Sequence, residues 1–235
     1  FASGGHVYKL NDWLNNSDKL KATDFSEAAL RGYAEYPEGS GDYYALPINH
    51  DSMGLVYRKD LFEDPKEMEG FKAKYGYELA PPKTYDEHRD IAEWFTRPDQ
   101  NLYGIATYGS KDYDAITSPF DGVLWSFGGE LWDSKTYQAE GQINSDIAVN
   151  ACEYYKGLFE FSPPGASAWF YDEVNNAVHT GLVAMGINWY YFFRAHNDPT
   201  VNVDYADKMG YALLPGEKGA DGVFRQFQSV GGQGI

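Results

Sequence analysis

The chain has 235 residues, 43% of them hydrophobic, enough to bury a core in one large domain or two modest ones. A formal net charge of −16 and a pI of about 4.6 argue against binding a nucleic-acid backbone or an anionic membrane surface, both of which call for clustered Lys and Arg. No apolar run approaches the roughly 20 residues of a membrane span, and the single cysteine, Cys152, leaves neither an intrachain disulfide nor a four-cysteine zinc site.

In chain order, the first informative stretch is Tyr44–Phe62. Two short apolar runs, Ala45–Ile48 and Gly54–Tyr57, flank the polar run Asn49-His50-Asp51-Ser52, so a carboxylate and an imidazole are expected between two strands. Asp64-Pro65 reads as an N-cap and first turn, Met68, Phe71 and Tyr75 as one helical stripe, and Gly76 as its stop. Thr84-Tyr85-Asp86-Glu87 is a capping box opening a helix that carries Ile91, Trp94 and Phe95. Gly104–Thr107 reads as a strand. Phe120, Val123, Leu124 and Phe127 share a helical face ended by Gly128-Gly129.

Further on, Ile147, Ala148, Ala151, Cys152, Tyr155, Leu158 and Phe159 mark an amphipathic helix stopped at Pro163-Pro164, with Cys152 expected to be a buried small hydrophobe. A short helix holding Val174, Ala177 and Val178 ends at Gly181 and leads into the strands Leu182–Ile187 and, later, Met209–Leu214. Gly216–Gly222 reads as a charged, Gly-rich linker. Helices alternating with short, unbroken apolar strands indicate an α/β fold with buried strands. The chain opens at Phe1 without an initiator Met and ends in what reads as mid-strand, so it is expected to be part of a longer protein.

No established catalytic motif is present: there is no HExxH, GxSxG or phosphate-loop GKS/GKT. The five histidines, His6, His50, His88, His179 and His196, do not sit at metal-ligand spacing, and no metal or cofactor is expected. Carboxylates are plentiful, among them Asp51, Asp112, Asp114, Asp121, Glu130 and Asp133; two of them could form a glycosidase pair, but the sequence does not position one. The run Trp189-Tyr190-Tyr191-Phe192-Phe193 follows a strand and Asn188, where α/β sheets open onto ligand crevices. Five consecutive aromatics cannot all enter one core, and the residues alone leave open whether Trp189 and Tyr191 face a cleft or the core. Aromatics make up 17% of the chain, and their flat apolar bodies with polar tips match the C–H faces and hydroxyl rims of sugars.

Several of these segments together resemble the sugar-binding class, family 1, of extracellular solute-binding proteins of ABC importers. Tyr57–Phe62, Leu124–Gly129, Asp172–Trp189 and Gly210–Gly216 carry the resemblance, with Pro81–Tyr85, where Tyr85 stands for the usual Trp. It covers nearly the whole chain. It implies a type II periplasmic-binding-protein fold: two α/β lobes joined by crossing strands around a ligand cleft that closes by hinge motion. The expected organisation is residues 1–48 as part of the first lobe, 49–53 as a hinge crossing, 54–221 as the second lobe and 222–235 as the second crossing and return. By the resemblance, Asp51 bonds a sugar hydroxyl with His50 beside it. Asp112 and Tyr113 line the second-lobe face, and Asn188, Trp189 and Tyr191 belong to the ring-stacking segment. Trp125 is a second platform or a core residue, and Gly232 and Gln233 belong to the second crossing. Members often show Trp where Gln233 stands, which weakens stacking there and favours a hydrogen-bonding amide. The implied protein is a non-enzymatic, monomeric binder of a carbohydrate or polyol. Its partner is the transmembrane permease of an ABC transporter, and it is periplasmic or anchored as a lipoprotein. Competing readings are a polyamine, peptide or organic-cofactor binder, a glycosidase, and a sensory subunit.

Overall fold

The computed structural model describes residues 1–234, with side chains described as far as residue 231. Helices α1 (Asn11–Asn16) and α2 (Glu27–Tyr33) precede strand β1 (Pro47–Arg58). There follow α3 (Lys59–Phe62), α4 (Pro65–Tyr75), α5 (Tyr85–Phe95), β2 (Tyr103–Ala106), α6 (Thr117–Phe127), α7 (Asp146–Gly157), α8 (Tyr171–His179), β3 (Val183–Trp189) and α9 (Tyr190–His196). The chain continues through β4 (Met209–Ala212), β5 (Glu217–Lys218) and β6 (Phe224–Arg225) to β7 (Val230–Gly234).

Local chemistry sets the helix ends. The Asp64 carboxylate accepts the N–H groups of Lys66 and Glu67 at 2.8 and 3.2 Å, and Gly76 ends α4 in the left-handed region at φ 85°. At α5 the Thr84 hydroxyl accepts the Glu87 N–H at 3.2 Å while the Glu87 carboxylate accepts the Thr84 N–H at 3.3 Å, a reciprocal box.

The chain divides into two compact units, residues 1–52 with the chain from Val230 onward, and Met53–Ser229. In the larger unit the sheet order is β2-β3-β1-β4. Strands β2 and β3 run parallel, whereas β1 is antiparallel to both β3 and β4. Residues 183–188 of β3 are buried throughout, as expected for a strand covered on both faces. Helix α5 lies so close to β2 that a Cβ on Gly104 would stand 1.9 Å from the Ala92 carbonyl oxygen. The expected linker Gly216–Gly222 forms strand β5 and the turn of the β5–β6 hairpin, paired Glu217 to Arg225 and Lys218 to Phe224. Among the described residues no helix is long and apolar enough to cross a membrane.

In the smaller unit Leu14, Ala29, Leu30 and Ala34 are buried. The Ser26 hydroxyl caps α2 by accepting the Ala29 N–H at 3.2 Å. Backbone N–H groups of Gly39 and Gly41 bond the Glu35 carboxylate and hold it below the usual carboxylate range.

Two expectations are corrected. The polar run Asn49–Ser52 does not separate two strands. It lies within β1, because β7 offers an antiparallel backbone partner opposite each of those residues, from Asn49↔Gln233 to Ser52↔Val230. Cys152 is exposed, not buried. The buried stripe of α7 is Ala148, Ala151 and Tyr155, continued by Leu158, and Cys152 lies one position beyond its edge, as Ile147 does on the other side.

Candidate functional site

Strands β2 and β3 are parallel neighbours, so the segments that leave their C-terminal ends emerge at one edge of the sheet. One is the loop from Thr107 to Ile116 that leads into α6. The other is the junction of β3 with α9.

In the first segment the Ser110 hydroxyl donates to Asp112 at 2.5 Å, and the Asp112 N–H donates back to it at 3.1 Å. The next residue, Tyr113, is 91% exposed and held at φ 42°, a left-handed conformation that costs energy for a bulky side chain.

In the second segment Asn188, expected at the ligand surface, is fully buried. Its Nδ2 donates to Asn175 Oδ1 at 2.8 Å, and its Oδ1 accepts from the Tyr108 hydroxyl and from the Trp189 N–H at 2.8 Å. An amide so committed orients Trp189 and has no surface left for a ligand. Trp189 is half-buried, with one side against the core cluster. The chain then turns from strand to helix, which distributes the aromatic run around α9. The Tyr190 ring lies over Gly54 and its hydroxyl donates to the Ala212 carbonyl at 3.2 Å. Phe192 stacks on Tyr171, and Phe193 is buried against Tyr211. Tyr191 is left 76% exposed.

Helix α6 contributes Trp125, which is half-buried and, among the described residues, is not packed against the core cluster. One turn earlier stands Asp121, also half-buried. Burial lifts its carboxyl from the ordinary aspartate range to about 6. Sequence reasoning counted Asp121 only among scattered carboxylates, although its i,i+4 spacing to Trp125 could have singled it out. Beside it, Ser229 ties α6 to the sheet: its hydroxyl donates to the Ser118 carbonyl, and its own carbonyl accepts the Met53 N–H at 2.9 Å.

In the smaller unit, strand alternation sends His50 and Asp51 to opposite faces of β1. His50 is exposed with its ring edge-on to Tyr33 at 5.8 Å, and the half-buried Asp51 accepts the Ser52 N–H at 2.8 Å. Gly232 pairs with His50 and Gln233 with Asn49 through the backbone, while the side chain expected to bond a ligand at Gln233 lies outside the described residues. Two histidines that are distant in sequence do meet, His179 Nε2 and His196 Nδ1 at 2.8 Å. Among the described residues no group of three or more His, Cys, Asp or Glu gathers as metal ligands.

Exposed or half-buried aromatic faces, with carboxylates nearby in the chain, suit non-covalent capture of a hydroxylated ligand. Comparison with known proteins agrees with this chemistry. A family model for bacterial extracellular solute-binding proteins matches residues 1–235, and the chain belongs to that family. The mannitol-binding protein of Pseudomonas aeruginosa is 25% identical over 216 residues, which cover 90% of this chain and 46% of that protein. A solved ABC transporter solute-binding protein from Agrobacterium radiobacter K84, in complex with ribitol, superposes with a TM-score of 0.79 at 25% identity, covering 99% of this chain and 53% of its own. Maltose-bound MalE3 of T. maritima, at 22% identity and a TM-score of 0.74 over 98% of this chain and 52% of that one, shares the fold. The chain therefore has the α/β solute-binding-protein fold that the resemblance implied, and it spans about half the length of the relatives it matches.

Proposed function

We propose that the chain is part of the substrate-binding component of an ABC importer, which captures a sugar, sugar alcohol or oligosaccharide by hinge closure and passes it unchanged to a membrane permease. One observation carries this reading. In a chain of the solute-binding family, the segments leaving parallel strands β2 and β3 present exposed or half-buried aromatics, Tyr113, Trp189 and Tyr191, together with the carboxylate of Asp112. The ligands named for the relatives, mannitol and ribitol, are polyols, which supports the same class.

In this reading Trp189, Tyr191, Tyr113 and Trp125 cover apolar faces of the ligand, and Asp51 and Asp112 accept hydrogen bonds from its hydroxyls. His50, Gly232 and Gln233 flank Asp51 along the crossing. Asn188 acts as a positioning residue. Residues 1–48 form part of the first lobe, 49–53 the crossing, 54–221 the second lobe and 222–235 the return. The protein works as a monomer in the periplasm or as a membrane-anchored lipoprotein, without chemistry on its ligand.

Tryptophan fluorescence, titrated with mono-, di- and trisaccharides, sugar alcohols and polyamines, tests the reading. A saturable change with one sugar or polyol class is expected. A response to polyamines alone, or release of reducing sugar from an oligosaccharide, would overturn it.

A further inference from the structure

Among the described residues the carboxyl of Asp121 makes no bond within the fold. It is half-buried on α6, and no donor among the described residues bonds it. The nearest hydroxyls on its own helix, Thr117 and Ser118 one turn back, both donate to the Asp114 carbonyl, at 3.0 and 2.7 Å. Helix α5 meets α6 through Tyr85 and Phe127, and none of its charged groups, Asp86, Glu87, Arg89, Asp90 and Glu93, pairs with Asp121; those on α7, β5 and β6, which also pack against α6, are Asp146, Glu153, Lys156, Glu217, Lys218 and Arg225. Arg225 is held by Asp221 at 2.5 Å, and none of the six pairs with Asp121. Lys111, Asp112 and Asp114, on the loop before the helix, do not pair with it either. Its oxygens are not among the fully buried polar atoms that lack a partner, so water reaches them in the ligand-free protein, and a ligand hydroxyl can take the place of that water.

Position says what can take that place. Residues at i and i+4 of a helix are neighbours on one face, so Asp121 stands beside the half-buried ring of Trp125. The same helix begins directly after the loop that carries Asp112 and Tyr113 at the sheet edge. A carboxylate next to an aromatic face is the pairing that a polyol requires, with one group for a hydroxyl and the other for the adjoining C–H surface.

We infer that Asp121 is a ligand-contacting residue, its carboxylate accepting a hydrogen bond from a hydroxyl of the captured sugar or polyol while Trp125 covers the neighbouring C–H face. This inference rests on the sugar or polyol reading above and deepens it by naming the acceptor. It brings a pH dependence with a definite sign. Only the ionised carboxyl accepts the bond at full strength, so affinity is high at neutral pH and falls as pH drops through about 6. With the midpoint there, about a tenth of the groups are ionised at about pH 5 and nearly all at about pH 8, so affinity should weaken about tenfold between them.

The test is isothermal titration calorimetry of the protein and of Asp121→Asn with D-mannitol, ribitol and maltose, from about pH 5 to about pH 8, with circular dichroism melts as the folding control. We expect the variant to stay folded, to bind about ten- to hundredfold more weakly at about pH 8, and to lose the pH slope seen in the parent. Asp121→Glu, which keeps the acceptor, should recover part of the affinity and the slope. If the parent binds one of these ligands and Asp121→Asn binds it equally well with the same slope, the inference fails while the sugar reading stands. If the folded parent binds none of these three, nor any member of the saccharide and sugar-alcohol panel above, at any pH, the sugar reading fails and takes this inference with it.

Discussion

Two histidines should make this protein acid-labile, and the size of the effect follows from their burial. His88 and His196 each have 0% exposure. His88 Nδ1 meets the Tyr154 hydroxyl at 2.7 Å and His196 Nδ1 meets His179, while the Nε2 atom of each has no partner among the described residues. Burial pushes both imidazoles down to about 3 from an ordinary value of 6.5, with His179 adding to the shift at His196. The folded state therefore keeps both rings neutral where the unfolded chain binds two protons. Stability from these groups is present above about pH 6.5 and is lost progressively as pH falls toward 3. From about pH 7 to about pH 5 the loss is about 2 kcal/mol for each histidine, or about 4 kcal/mol for both. That is a large share of the roughly 5–15 kcal/mol by which domains are stable. Other groups pull the opposite way. Protonation relieves the buried Asp121 carboxyl and reduces the repulsion behind a net charge of −16. The informative quantity is thus the difference between parent and variant. Urea unfolding at the two pH values should show His88→Gln and His196→Gln each removing about 2 kcal/mol of the pH-dependent loss, whatever each substitution costs at neutral pH. If both variants lose as much stability on acidification as the parent, these rings are not buried and neutral, and the reasoning fails.

Three other substitutions address the site and the packing behind it. Trp189→Ala should weaken ligand binding by about 1–3 kcal/mol with little change in fold; unchanged affinity by calorimetry would remove Trp189 from the site. Asp51→Asn should lower affinity by roughly 1.5–3 kcal/mol through loss of a charged acceptor; equal binding by parent and variant would reassign Asp51 to the backbone turn it makes with Ser52. Gly104→Ala places a methyl carbon 1.9 Å from the Ala92 carbonyl oxygen, a clash with rigid backbone that should cost about 1–3 kcal/mol or more. A melting temperature equal to the parent's would mean that α5 and β2 are packed less closely.

Much of the fold was readable because its signals are local. The Asp64 and Thr84 caps, the Gly76 and Gly128 stops and the unbroken apolar run of β3 each act through neighbours a few residues away. The misreadings arose where a distant partner decides. β1 runs through Asn49–Ser52 because β7, some 180 residues further on, pairs with it. Asn188 reads as part of the ligand-binding segment, yet Tyr108 and Asn175 arrive from elsewhere in the chain to bond it in a fully buried position. Cys152 was misplaced by one helical position, since periodicity locates an apolar stripe more securely than its edges.

The residues proposed to meet the ligand share a property with the misread ones, in that each breaks a local rule. Tyr113 sits in a left-handed conformation that a bulky L-residue avoids. Asp121 buries half a carboxylate with no donor among the described residues to meet it. Tyr191 leaves an aromatic ring 76% exposed at the first turn of a helix, edge-on to Phe192. A stable fold alone would select against all three, because each has a cheaper alternative: glycine, asparagine and a charged residue, respectively. Their retention at the ends of β2 and β3, or on the helix that follows β2, is what a binding surface demands of a sequence otherwise consistent with its fold. The same argument predicts a sign. Asp121→Asn should raise the stability of the ligand-free protein at about pH 8, where nearly all of the partly buried carboxyl is ionised, while it weakens capture. A variant that loses both stability and affinity would show that Asp121 serves the fold, and that its place beside Trp125 is incidental to binding.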